Sequence, residues 1–171
     1  MTTKDNKRVM IFIDGSNLFY SMRSSGSDYR LDYIKLIEKL VDGRDHIRTY
    51  YYASSKVPPI SKQTAFYDAL QRMGIRTTIK PLKYGKEKGV DVALVTDLIQ
   101  LAFGKTMDVA IVLSGDQDFV DAIQVVQRLG ITVEVAAFRG HFAEDLKKNT
   151  DRVIFLDDIK DDISLNYTAQ G

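Results

Sequence analysis

Short, continuous apolar runs alternate along this chain with stretches of helical spacing, and that alternation limits the folds open to it. Val9 to Ile13 is wholly apolar, too short for a helix, and stops abruptly at Asp14-Gly15. Such a run reads as a central strand buried on both faces. Ile47 to Ala53, Val109 to Leu113, Thr132 to Phe138 and a short Val153 to Leu156 read as further strands. Ile75 to Lys83 reads as a strand nearer the sheet edge, where Pro81 is tolerable. Between them lie helical patterns at Asn17 to Met22, Leu31 to Val41 with Gly43 as a stop, and Ser61 to Met73 before Gly74. Asp91 to Phe103 places Val92, Val95, Leu98, Ile99 and Ala102 on one stripe, and Asp118 to Leu129 turns Phe119, Ala122, Ile123, Val126 and Leu129 inward. Ala143 to Lys148 is a last short helix. The pattern predicts an α/β fold of βα units around a mostly parallel sheet.

The 171 residues fit one domain. We expect a flexible N-terminus over residues 1–8, a domain over 9–157, and a polar tail over 158–171 whose last dozen residues fray. The Asp157, Asp158, Asp161 and Asp162 cluster reads as solvated tail. A formal net charge of +1 argues against a strong global field for nucleic acid and leaves room for a local basic rim. Without cysteine, disulfides and thiolate zinc sites are excluded, and two histidines, His46 and His141, make a histidine metal centre improbable. Carboxylate sites stay open. There is no long apolar span and no apolar core near the N-terminus, so the expected setting is the cytoplasm, away from membranes.

Acids stand at the ends of the apolar runs. Asp14 follows the first strand in I-D-G-S-N, Asp116 and Asp118 follow the fourth in L-S-G-D-Q-D-F, and Asp91 opens a helix in K-G-V-D-V. An acid at the carboxyl end of a parallel strand faces the crevice where α/β proteins bind ligands. Each taken alone serves equally well as a helix N-cap. As a set, with no histidine or cysteine alternative, they point to a divalent-cation site for phosphate chemistry, with Asn17 supplying an amide one short turn after Asp14. Asp97, six residues beyond Asp91 and on a different helical face, reads as structural or supporting. There is no G-x-x-x-x-G-K-[ST] phosphate loop, and neither a G-x-S-x-G elbow nor a D-x-D-x-[TV] motif.

Cations surround these acids in sequence: Lys56, Lys62, Lys80, Lys83, Lys86, Lys88, Arg139 and His141. The stretch K-P-L-K-Y-G-K-E-K, carrying Tyr84, runs directly into Asp91 and suits a single strand whose phosphates meet lysines while a base stacks. An exposed, solvated loop is the plain alternative. Lys56, Lys83, Tyr84, Lys86, Lys88 and Arg139 are the nucleic-acid candidates.

Three motifs in order, Ile13-Asp14-Gly15-Ser16-Asn17-Leu18, Lys88-Gly89-Val90-Asp91-Val92 with Asp97, and Ser114-Gly115-Asp116-Gln117-Asp118-Phe119, resemble the NYN-domain family in its LabA-like branch of the PIN-like nucleases. The resemblance spans Val9 to Phe138. It implies a Rossmannoid three-layer α/β/α sandwich with strand order 3-2-1-4-5, which sets Asp14 beside Asp116. It implies that Asp14, Asp91, Asp116 and Asp118 form an acidic Mg²⁺ or Mn²⁺ cluster assisted by Asn17. The expected function is metal-dependent hydrolysis of RNA, most simply single-stranded. The alternative is a regulatory module of the same fold that binds RNA or a protein without turnover, and a homodimer is compatible with either. A small-substrate phosphatase is a weaker third reading.

Overall fold

The computed structural model describes residues 6–24, 26 and 28–165. Among these, β1 (Arg8–Asp14), β2 (Asp45–Ser55), β3 (Arg76–Pro81), β4 (Val109–Leu113), β5 (Thr132–Ala137) and β6 (Arg152–Phe155) form one sheet. Its order is β3-β2-β1-β4-β5-β6, and every pairing is parallel. The expected order 3-2-1-4-5 is thus met and extended by one edge strand. Parallel neighbours need crossovers, which here carry α1 (Gly15–Arg23), α2 (Tyr33–Val41), α3 (Ser61–Arg72), α4 (Val90–Phe103), α5 (Val120–Arg128) and α6 (Glu144–Asn149). The chain builds outward from β1 to β3, then jumps back across the sheet to β4 and builds the other way. The crevice between the ends of β1 and β4 is therefore the topological switch point.

Alternation along the central strands divides the core into two layers. Val9, Ile11 and Ile13 of β1 pack with Leu36, Leu40 and Leu70 on one face. Met10 and Phe12 pack with Leu94, Leu98, Ile123 and Val126 on the other. Asp14 continues the even phase, which aims it toward the α4 and α5 side.

The phase of α4 departs from the sequence expectation. Val90, Leu94, Leu98 and Ala102 are its buried residues, whereas Val92 is 68% exposed. The helix is apolar on nearly every face, so hydrophobic spacing alone gives no phase. Leu129 also turns out of the core, because α5 ends at Arg128. Leu31 does not open α2: Asp32 caps that helix, accepting from the Ile34 and Lys35 N–H groups, and Leu31 pairs with Ser164 instead.

That pairing corrects the expected fraying. Ile163 is fully buried, the Leu165 N–H donates to the Arg30 carbonyl, and Asp162 meets Lys39 at 3.0 Å. One buried isoleucine anchors this segment among polar neighbours. At the other end Arg8, expected in a flexible arm, opens β1 and pairs with Asp108. The remaining terminal expectations, over residues 1–5 and 166–171, lie outside the described residues. Among the described residues no helix is long and apolar enough to cross a membrane.

Candidate metal centre

Asp14 ends β1 almost wholly buried, at 4% exposure. One carboxylate oxygen caps α1 by accepting the Asn17 N–H at 3.2 Å, and the other accepts the Ser114 hydroxyl at 3.0 Å. Gly15 is needed for close approach: a Cβ there would stand 2.5 Å from the Tyr51 ring and 2.7 Å from the Tyr52 carbonyl. Asn17 clips the two loops together, its side-chain oxygen accepting the Gly115 N–H at 3.1 Å. That leaves its amide hydrogens as donors at the cleft, which Asn17 lines. Gly115 is equally constrained, because a Cβ there would collide with the His141 carbonyl.

After β4, Asp116 caps the short 3-10 turn Gln117–Phe119 by accepting the Asp118 N–H at 2.9 Å. Its own N–H donates to Ser114 Oγ at 3.2 Å. Capping and site geometry therefore coexist at Asp14 and Asp116: each cap uses one oxygen, leaving capacity on the carboxylate. Asp91 is different. Gly89, with φ 84°, occupies the N-cap of α4, so Asp91 sits in the first turn free of that duty. An acid there is favoured by the unpaired N–H groups of the helix start.

Two groups of three carboxylates result, each with one oxygen per residue lying within 4.8 Å of the others. They are Asp14, Glu87 and Asp91, and Asp91, Asp116 and Asp118. Asp91 belongs to both. The four sequence-predicted acids are thus brought together, and a fifth, Glu87, joins them. Glu87 was hidden in a lysine-rich run, where it reads as a counter-charge. Its position four residues ahead of Asp91 was the available signal. The Ser16 hydroxyl donates to Glu87 at 2.5 Å, a length typical of a charge-assisted bond, and fastens the 82–89 loop to α1.

The electrostatics show a deficit of positive charge. Burial pushes the Asp14 carboxyl up to about 6, against the opposing bonds from Asn17 and Ser114, and Asp91 and Glu87 add to the rise. Asp91 is raised by burial first, then by Asp116, Glu87 and Asp118. Among the described residues Lys88 is the one cation lining this cleft of about 410 Å³. An all-oxygen donor set in which burial and neighbouring acids raise Asp14 and Asp91 fits a hard divalent cation.

The remaining candidates lie apart from the acids to differing degrees. Asp97 accepts the buried Tyr52 hydroxyl at 2.8 Å, a supporting role behind the cleft. Lys83 and Lys86 close a tight turn by reciprocal backbone bonds of 2.9 Å, with Tyr84 fully exposed at its tip. Lys56 and Lys80 line a separate hollow. Arg139 is engaged elsewhere: Asp158 holds its guanidinium at 2.7 and 2.9 Å over the Phe155 ring, and Asp157 accepts its N–H. Asp157 and Asp158 are accordingly not the solvated tail that their clustering implies.

Residues 8–157 match the NYN domain. The chain belongs to the NYN-domain family. It is 29% identical over 165 residues to the low amplitude and bright protein LabA of Synechococcus elongatus, covering 90% of this chain and 86% of LabA. A further relative is the uncharacterized protein y4oD of Sinorhizobium fredii, 36% identical over 70 residues, which are 39% of this chain and 33% of that protein. The crystal structure of VPA0982, a protein of unknown function from Vibrio parahaemolyticus, superposes with a TM-score of 0.78 at 24% identity, covering 96% of this chain and 100% of that one. That likeness speaks to the fold alone. The LabA-like resemblance carried by the three motifs holds, and with it membership of the PIN-like nuclease superfamily, with clustered acids at the switch point.

Proposed function

We propose that this NYN domain is a ribonuclease dependent on Mg²⁺ or Mn²⁺, acting on single-stranded RNA in the cytoplasm. The observation that carries the reading is the sharing of Asp91 between two three-carboxylate groups at the switch point. Asp91 would hold a cation with Asp14 and Glu87 on one side, with Asp116 and Asp118 on the other, or on both. A bound divalent ion supplies neutralisation of phosphate charge and activation of water for attack at phosphorus. The chain's own groups do the rest. Asn17 offers its free amide hydrogens, and Lys88 its ammonium, to the phosphate oxygens. Asp118, exposed beside Asp91 and Asp116, orients the attacking water and takes its proton. Ser114 holds Asp14 and the Asp116 backbone in register.

The test is cleavage of end-labelled single-stranded RNA with Mg²⁺, with Mn²⁺ and with EDTA. The wild type cleaves with either metal and stops in EDTA. Asp14→Asn lowers the rate by a factor on the order of 100 or more, the scale of losing a group that acts on transition-state charge. Cleavage that survives Asp14→Asn combined with Asp116→Asn overturns the assignment. RNA binding without turnover in the wild type assigns the domain to binding instead.

A further inference from the structure

A second hollow, of about 500 Å³, opens on the same rim of the sheet at the carboxyl ends of β2 and β3. Its volume lies in the range of small-molecule sites. The strand order puts this crevice two strands along from the one between β1 and β4, a separation of about 10 Å at the usual strand spacing. The two hollows lie along one rim of the sheet. Tyr67 of α3 lines the second, and Glu87 lines the first. Glu87 is close enough to act on Tyr67, whose hydroxyl is raised by burial first and by that charge second.

The lining is differentiated. Lys56 and Lys80 stand on the strand-end side. Val57, Pro59, Ile79 and Pro81 give an apolar surface, with Val57 left 75% exposed. On the α3 side Asp68 and Gln71 are polar. The Gln71 amide donates to Thr77 at 2.8 Å, which leaves its oxygen as an acceptor. Asp68 repels a phosphate and accepts from a base amine, so the α3 side suits a base edge and the lysine side a phosphate. Tyr67 is held by ring contacts with Tyr51 and Phe66, at 6.5 and 5.7 Å, and offers a supported aromatic surface in the wall of this hollow.

We propose that this hollow is a nucleotide subsite, seating one unpaired base and its adjoining phosphate on the strand whose scissile phosphate lies at the carboxylates. It rests on the ribonuclease reading for the identity of that strand. Charge complementarity at Lys56 and Lys80, an apolar seat for a base, and a place two strands along the same rim from the acidic cleft single out this occupant. The step along the rim matches about one or two linked nucleotides. Stacking with phosphate neutralisation is the common mode for single strands. Because an unpaired base is needed, a duplex of the same sequence enters poorly.

Two measurements test it on the full chain. In the first, a single-stranded RNA containing 4-thiouridine is photo-cross-linked and the attachment points are mapped by mass spectrometry. Attachment is expected within residues 55–81, Tyr67 above all, and is expected to fall at least tenfold in Lys56→Glu with Lys80→Glu. In the second, RNA affinity is followed against salt. The double variant is expected to show a shallower slope, by about 0.7 for each phosphate that the lysines no longer neutralise, with Mn²⁺ binding unchanged. Cross-links confined to other segments, or a double variant that binds RNA like the wild type, overturn the subsite. Cleavage without such cross-links sinks the subsite alone, whereas cross-links on a protein that never cleaves sink the ribonuclease reading and leave the subsite standing.

Discussion

The Ser114 hydroxyl donates to Asp14 Oδ2 at 3.0 Å, tying the end of β1 to the loop that follows β4. Ser114 Oγ in turn accepts the Asp116 N–H at 3.2 Å. One buried serine thereby sets the separation of two acids from different strands. Ser114→Ala removes both bonds. It leaves the Asp116 N–H short of a partner, at a cost of about 1–3 kcal/mol, and raises the Asp14 carboxyl further, since this bond opposes the rise. Mn²⁺ affinity, measured by calorimetry at constant pH, is expected to fall about 10–100-fold, the scale of losing a supporting hydrogen bond. An unchanged affinity would show that the hydroxyl has no positioning role.

The raised Asp14 carboxyl makes the metal-free protein pH-sensitive in a definite direction. Its ordinary value is 3.8 and its folded value about 6, so between these the folded state holds the extra proton. Stability from this group is therefore greatest at low pH, declines as pH climbs from about 4 to 6, and is level above that. The shift corresponds to a loss on the order of 3 kcal/mol. Asp91 is shifted in the same direction. Asp14→Asn keeps a capping oxygen without the charge. In EDTA it is expected to be more stable than wild type at pH 8 and nearly equal to it at about pH 3.5, below the ordinary value, as read by urea melts. Parallel curves across that range would contradict the assignment. Metal affinity of the wild type should fall as pH drops through about 6, because protons compete for the same oxygens.

Glu87 and Lys88 are adjacent in sequence and separable in effect. Glu87 shares a carboxylate group with Asp14 and Asp91, whereas Lys88 lines the cleft as a cation. Glu87→Gln is expected to weaken Mn²⁺ binding by roughly tenfold, as for loss of a supporting carboxylate. Lys88→Ala should leave Mn²⁺ binding intact or slightly stronger and lower RNA turnover instead. Equal effects of the two substitutions on both readouts would mean that the loop is merely disordered by either change. Ser16→Ala should behave as a weak copy of Glu87→Gln, since its hydroxyl only anchors that side chain.

The strands were legible because a buried parallel strand has no polar face to disguise it, and Val109–Leu113 matches its apolar run residue for residue. The helix boundaries were legible at Gly74 and Gly130, each with φ above 80°, where the backbone needs a residue without Cβ. The phase of α4 was not, because Val90, Val92, Leu94 and Val95 are equally apolar and only packing against β1 and β2 decides among them. At the site, reading Asp14 and Asp116 as caps or as ligands posed a choice that the geometry does not require, because two oxygens allow both. Glu87 escaped notice because its loop must fold back onto α1 before it meets Asp91. The engagement of Arg139 was hidden for a similar reason: its partner Asp158 lies beyond β6, and no local pattern links the two. Long-range pairings of this kind belong to the fold as a whole rather than to any sequence window.

The shared-carboxylate centre is tested most directly by a crystal soaked in Mn²⁺ and measured at the manganese absorption edge. The predicted result is anomalous density in contact with Asp91, on its Asp14 and Glu87 side, its Asp116 and Asp118 side, or both, and its loss in crystals of Asp91→Asn. Density that is absent from wild-type crystals at saturating Mn²⁺, or that persists unchanged in Asp91→Asn, would contradict the assignment of these acids to one cation site.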